Sequence, residues 1–230
     1  MHVHKLLVAC FIAIIAIIVS HFVHADEPKA APKKNDPVKW EKDIARFEAV
    51  DKEKPQKKGQ IVFVGSSSIR MWKLDKSFPG LDAINRGFGG SQIEDSTYYA
   101  QRIVTNYEPR TIVMYAGDND LAAGKSADQV SQDFTAFVKK VREKLPKAKI
   151  VFVAIKPSIA RWKNVDNVRK ANTMIAKQCA DGERMVFIDI DKPMMGDDGK
   201  PRPELFLKDG LHMSDEGYAI WDALVKPELE

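Results

Sequence analysis

The sequence predicts a doubly wound α/β domain, a parallel sheet covered by helices on both faces, on three observations. From Gly59 onward, short apolar runs alternate with amphipathic segments, the order of a chain that lays down strand and helix in turn. The runs are 61–64, 81–84, 111–116, 150–155 and 185–190, and they are continuous rather than alternating, as expected of strands buried on both faces. The segments between them place apolar side chains at helical spacing, several behind a capping pattern.

Residues 1–25 read as a secretory signal. Lys5 supplies a short positive start, 6–19 is uninterrupted apolar chain, and Val23-His24-Ala25 puts a small residue before a cut ahead of Asp26. An uncleaved membrane anchor is the competing reading, but the run is short for ~30 Å of hydrocarbon. Cys10 follows Leu7-Val8-Ala9 as in a lipoprotein box, yet the apolar segment comes after that cysteine rather than before it. Residues 26–37 carry three prolines and almost no apolar side chains, which predicts a disordered tether. The domain is then 38–230, opening with a short helix marked by Trp40, Ile44 and Phe47.

Ser91 and Glu94 form a capping-box pattern ahead of a helix to about Tyr107. Ser126 and Gln129 do the same before the stripe Val130, Phe134, Phe137, Val138, Val141 and Leu145, which Pro146 stops. Val165, Val168, Ile175 and Cys179 mark a third helix, with Cys179 on its apolar stripe, and Tyr218, Trp221 and Val225 a fourth that Ser214 opens. Segment 191–208 breaks the rhythm: it is long and holds three prolines, while Met194, Met195, Leu205 and Phe206 argue against a floppy loop. It is expected to form one wall of a site.

Composition narrows the chemistry. A hydrophobic content of 44% and a charged content of 30% are those of a soluble protein. The net charge of +4 is small and the lysines are dispersed, with no basic stripe interleaved with aromatics, so nucleic acid is not an expected partner. Of the two cysteines, Cys10 falls in the leader, which leaves Cys179 and no internal disulfide. Four of the five histidines (His2, His4, His21, His24) also lie there, so His212 is the one imidazole of the mature chain. One Cys and one His exclude the usual zinc ligand set. Asp118-Asn119-Asp120 and Asp197-Asp198 lack the Gly and Glu spacing of a calcium loop, so no metal or cofactor is expected.

Chemistry-bearing residues gather where strands end, the place a doubly wound sheet binds its ligands. The first run leads to Gly65-Ser66-Ser67-Ser68, a sharp turn that can present a serine at a helix N-terminus; a plain N-cap or a phosphate cradle are the other readings. No Gly-Lys-Ser/Thr is present, so this is not a nucleotide P-loop. The second run leads to Asn85-Arg86-Gly87-Phe88-Gly89-Gly90-Ser91, whose glycines let backbone approach a ligand closely. The third leads to Asp118-Asn119-Asp120, where an amide can donate to an oxyanion. Near the end stands Asp209-Gly210-Leu211-His212, a carboxylate able to fix an imidazole's tautomer. Each loop alone could be turn chemistry; together they supply the parts for acyl transfer.

In these blocks the chain resembles the SGNH (GDSL-type) hydrolases, in the branch similar to platelet-activating-factor acetylhydrolase, over roughly residues 59–225. The family's Gly-Asp-Ser block matches Gly65-Ser66-Ser67, which implies Ser67 as nucleophile. Its Asn-x-x-x-x-Gly block matches Asn85 to Gly90, implying Gly90 as an oxyanion donor, and its Gly-Asn-Asp block matches Asp118-Asn119-Asp120, implying Asn119 as a second. The closing Asp-x-x-His matches Asp209 and His212. Ser66 and Asp118 depart from that pattern, standing for an aspartate and a glycine. The resemblance implies a three-layer α/β/α sandwich with a five-stranded parallel, flavodoxin-like sheet. With the leader's signal for export, the expectation is an exported serine esterase, and the resemblance implies a small acyl ester, acetyl above all, of a carbohydrate or lipid head group as its substrate. A lysophospholipase or thioesterase on longer chains, or a non-catalytic carbohydrate- or phosphate-binding domain, are the alternatives. Arg70, Lys156, Arg161 and Trp162 lie on strand-end loops as candidate substrate contacts. No stable membrane insertion is expected once the leader is cleaved.

Overall fold

The computed structural model of the chain describes residues 35–229. The leader and 26–34 of the tether lie outside the described residues. Where description begins, Asn35 donates to Asp95 and the Asp36 carboxylate accepts from Val38 N–H at the start of a 3-10 turn, Pro37–Trp40. Helix α1 (Glu41–Glu53) follows and turns Ile44 inward.

Five strands, β1 (Ile61–Gly65), β2 (Ala83–Gly87), β3 (Thr111–Tyr115), β4 (Lys149–Val153) and β5 (Met185–Ile188), form one sheet in the order β2-β1-β3-β4-β5 with every pair parallel. Gly65 lies opposite Gly87 on one side and Tyr115 on the other. The continuous apolar runs divide as a period of two requires. Val62, Val64, Ile112, Met114, Ile150 and Phe152 pack with α1, α4 (Ile93–Tyr98), α5 (Ala100–Ile103), α7 (Ala127–Arg142) and α8 (Val165–Asp181). Ile61, Phe63, Val113, Tyr115, Val151 and Val153 pack with α2 (Ser67–Arg70), α3 (Leu74–Ser77) and α9 (Asp215–Val225). This is the three-layer sandwich expected, and Cys179 sits buried in the first layer, where burial pushes its thiol up to about 12.

Three expectations are corrected. The second strand starts at Ala83 rather than 81 and takes in Asn85 and Arg86, because tertiary partners satisfy both polar side chains: Asn85 binds Ile69 O and Trp72 O, and Arg86 binds Asp51 and Tyr107. Ser91 is no N-cap, since its hydroxyl donates to Phe88 O and Gly65 O. Asp95, not Glu94, closes the turn by accepting from Gln92 N–H, and the helix expected to Tyr107 breaks into α4, α5 and a 3-10 turn. The box of Ser126 and Gln129 forms in both directions, although α7 ends at Arg142, ahead of Pro146.

Candidate active site

The chain order reverses between β1 and β3, so the loops that leave these two strands open side by side at the carboxyl edge of the sheet. Gly65 ends β1 with φ +138°, and a Cβ there would fall 1.9 Å from Tyr115 O on the neighbouring strand, so only glycine permits the sharp turn into α2. The three serines that follow then face different ways. Ser66 and Ser68 are buried, while Ser67, first residue of α2, is half-buried and opens to the site. Ser68 Oγ receives Lys156 Nζ at 3.3 Å.

The second loop is stitched to the first. Gly65 O accepts from Phe88 N–H at 2.9 Å and from Ser91 Oγ at 3.2 Å, and Gly90 between them is exposed. Asn85 tightens the same junction from below by holding Ile69 O of α2 while accepting from Gly87 N–H. In the third loop, Gly117 carries φ +113° and starts α6 (Asp118–Ala122). The conformational role of a glycine in that block therefore falls one residue before Asp118, which is free to carry a side chain. Asn119 Nδ2 donates to Ser91 O at 3.0 Å, so the Gly90 and Asn119 loops meet. Among the described residues, the backbone N–H groups of Ser67 and Gly90 have no protein acceptor.

The fourth loop brings the imidazole. Asp209 Oδ1 accepts from the N–H of Leu211 and of His212, both at 2.9 Å, which curls the chain so that Oδ2 meets His212 Nδ1 at 2.6 Å. The opposite ring nitrogen, Nε2, stands 3.0 Å from Ser67 Oγ. The hydrogen bond from His212, and next the bond from Leu211 N–H, hold the Asp209 carboxyl down at about 2. An ionised carboxylate only accepts, so Nδ1 donates and the neutral ring turns its Nε2 lone pair to the serine hydroxyl. Segment 191–208 braces this loop. Leu207 N–H donates to His212 O, Phe206 and Met213 bridge antiparallel, and Met194, Leu205 and Phe206 are buried.

The structure thus brings Ser67, His212 and Asp209 into one hydrogen-bonded line, and hydrogen bonds join the loops of Gly90 and Asn119 to the turn that carries Ser67. Of the four residues expected to touch substrate, Lys156 does not qualify, being 2% exposed and spent on internal bonds. Arg161 Nη2 donates to Asn119 Oδ1 at 3.0 Å, Trp162 is half-buried, and Arg70 is exposed with its guanidinium over Gly89. Sequence reasoning missed the set of buried Asp118 and Lys156 with part-buried Arg161; the only signal was a pair of cations just past an apolar strand. Among the described residues no group of three or more His, Cys, Asp or Glu is placed to hold a metal ion.

A model of the GDSL-like Lipase/Acylhydrolase family matches residues 66–220. The chain is 30% identical over 190 residues to the alpha1 subunit of platelet-activating factor acetylhydrolase IB from Bos taurus, covering 75% of each. In three dimensions it is similar to a GDSL-like lipase from Bacteroides thetaiotaomicron, with TM-score 0.67 and 22% identity over 81% of this chain and 96% of that one. It is similar also to a variant of an acetyl-xylooligosaccharide esterase from Geobacillus, with TM-score 0.60 and 15% identity over 76% and 96%.

Proposed function

The chain belongs to the GDSL-like lipase/acylhydrolase family and is a carboxylic ester hydrolase, and from that premise we propose that it is an exported serine esterase of small acyl esters, acetyl above all, that works through an acyl-enzyme. The line Asp209–His212–Ser67, with bonds of 2.6 and 3.0 Å, is the observation that carries this reading. Ser67 Oγ attacks the ester carbonyl as His212 Nε2 takes its proton, and Asp209 stabilises the imidazolium. The charge that develops on the carbonyl oxygen is met by the N–H of Gly90, the Asn119 amide and the N–H of Ser67. Collapse of the tetrahedral intermediate expels the alcohol, protonated by His212. Water, deprotonated by the same ring, then releases the acid and restores the serine.

The names of two relatives support acetyl as the acyl group, one a platelet-activating factor acetylhydrolase and the other an acetyl-xylooligosaccharide esterase. They point to a lipid head group and a carbohydrate respectively as the alcohol. A longer acyl chain is the second reading, favoured by Ile159 and Leu207, each 44% exposed: Ile159 lies against Gly210 and Leu207 bonds to His212. Rates on p-nitrophenyl esters from acetyl to palmitoyl, run beside acetylated sugars, separate the two. A fluorophosphonate probe should label Ser67, and Ser67→Ala should abolish labelling and lower turnover by about 10⁴-fold. Peptide mapping that places the adduct on Ser66 or Ser68 would overturn the assignment of the nucleophile.

A further inference from the structure

Beneath Asn119 lies the densest buried charge near the site, and acyl transfer as described leaves it without a part. Lys156 Nζ spends its three protons on Tyr115 Oη at 2.9 Å, Asp118 Oδ2 at 2.9 Å and Ser68 Oγ at 3.3 Å. Asp118 Oδ2 also faces Arg161 Nη1 at 3.4 Å. Burial alone would push the Asp118 carboxyl up, but Lys156 and then Arg161 overcome it and hold the group below its ordinary value, ionised. The tally is one carboxylate between two cations. Lys156 is enough to neutralise Asp118, so Arg161, whose side chain stays 23% exposed although its Nη1 is shut off from solvent, is the cation left with a second task.

The other end of Arg161 supplies one. Its Nη2 donates to Asn119 Oδ1 at 3.0 Å. A guanidinium is a donor only, so it can face the oxygen of the amide and never the nitrogen. That contact and the bond from Nδ2 to Ser91 O favour the same orientation of the amide. With Oδ1 occupied, Nδ2 lies on the far side, where one of its protons goes to Ser91 O, beside Gly90, and the other stays unspent. Without Arg161 the amide would be held by Ser91 O alone, and turning over would present its oxygen, which would repel a developing oxyanion.

We propose that Arg161 is a positioning residue that locks the donor edge of Asn119 toward the oxyanion, with the buried Asp118–Lys156 pair as the support that holds the guanidinium in place. The proposal rests on the reading of Asn119 as an oxyanion donor.

A double-mutant cycle on p-nitrophenyl acetate hydrolysis by the full chain tests it. Asn119→Ala is expected to lower kcat about 100- to 1000-fold. Arg161→Met, which keeps the apolar stem but not the donors, should lower kcat about 10- to 50-fold with KM changed less than about 3-fold, because only the transition state feels the turned amide. Added on top of Asn119→Ala, Arg161→Met should cost less than about 3-fold, since there is no amide left to orient. Millimolar guanidinium should recover activity in Arg161→Met and none in the double variant. An Arg161→Met loss that is the same in both backgrounds, or that falls on KM alone, would overturn the proposal and make Arg161 a substrate contact. If Asn119→Ala itself leaves kcat unchanged, the oxyanion reading fails first. Should Arg161→Met not fold by circular dichroism, Arg161→Lys completes the cycle. Its single ammonium should give a smaller loss that still couples to Asn119→Ala, whereas additivity would overturn the proposal.

Discussion

Three adjacent serines at Gly65 differ by what surrounds each hydroxyl. Ser66 is shut in at the strand end and Ser68 lies under Lys156, which leaves Ser67 facing His212. The same local logic sets the charge on the acid member. Asp209 is held at about 2, chiefly by the His212 hydrogen bond, so it is ionised across the working range and adds no step to a pH profile above about pH 3. The base must be neutral to accept the serine proton, so activity should be lost in acid, where the imidazole is protonated. In Asp209→Asn the new amide can donate to Nδ1 and favour the wrong tautomer, so kcat should fall by about 10²- to 10⁴-fold. A kcat/KM profile with a second acidic step above pH 4, or an Asp209→Asn variant at full rate, would remove Asp209 from the mechanism.

Helix ends carry the next layer of the design. α6 is one and a half turns long, yet it bears Asp118, Asn119 and Asp120, each turned to a different task. Asp120 is fully buried and accepts from Ile93 N–H at the start of α4, tying the third loop to the second, with Lys125 at 3.4 Å. Burial raises its carboxyl to about 7 against the attraction of Lys125. The folded state therefore keeps a proton that the unfolded chain releases near ~3.9. Stability should accordingly decline as pH rises from about 4 to 7 and level off above. Asp120→Asn keeps an acceptor for Ile93 N–H without that ionisation. Its melting temperature relative to the parent should climb over the same window. Melting curves between pH 4 and 8 check this, and a difference that stays flat would mean Asp120 is ionised throughout.

Across the whole molecule, the His212 loop and the Ser67 turn lie 145 residues apart in sequence and are held in register by more than their own bond. Tyr218 Oη donates to Ser68 O at 2.8 Å and Trp72 Nε1 to Asp222 at 2.8 Å, so α9, which follows His212, is pinned to the segment that opens with Ser67. Trp221 fills the space between, packed on Trp72, Tyr115 and Tyr218. No described helix is long and apolar enough to cross a membrane. For residues 1–25 we propose cleavage before Asp26. Intact mass of the protein from its native host should begin at Asp26, and a membrane-bound form that retains Met1 would replace export with anchoring.

The layered fold and the four site loops were legible in the amino-acid order, because both are local properties. An apolar run of strand length needs cover on both faces wherever it ends up, and Gly65, Gly90 and the Asp209-to-His212 spacing encode backbone turns within a few residues. Strand and helix ends were less legible. Asn85 and Arg86 look like loop residues until Ile69, Trp72, Asp51 and Tyr107 arrive from elsewhere to satisfy them. The sequence offered Lys156 and Arg161 only as candidate substrate contacts, and their bonds to Asp118 and Asn119 were not legible in it. Two cations after a strand are ordinary surface chemistry in a sequence. Only the packing of the chain after β4 against Ser68, Tyr115 and Asp118 removes water from Lys156, and the Asp118 carboxylate meets the buried charge there. What Arg161 then does with its free edge depends on where Asn119 stands, a matter of three-dimensional neighbours 42 residues apart.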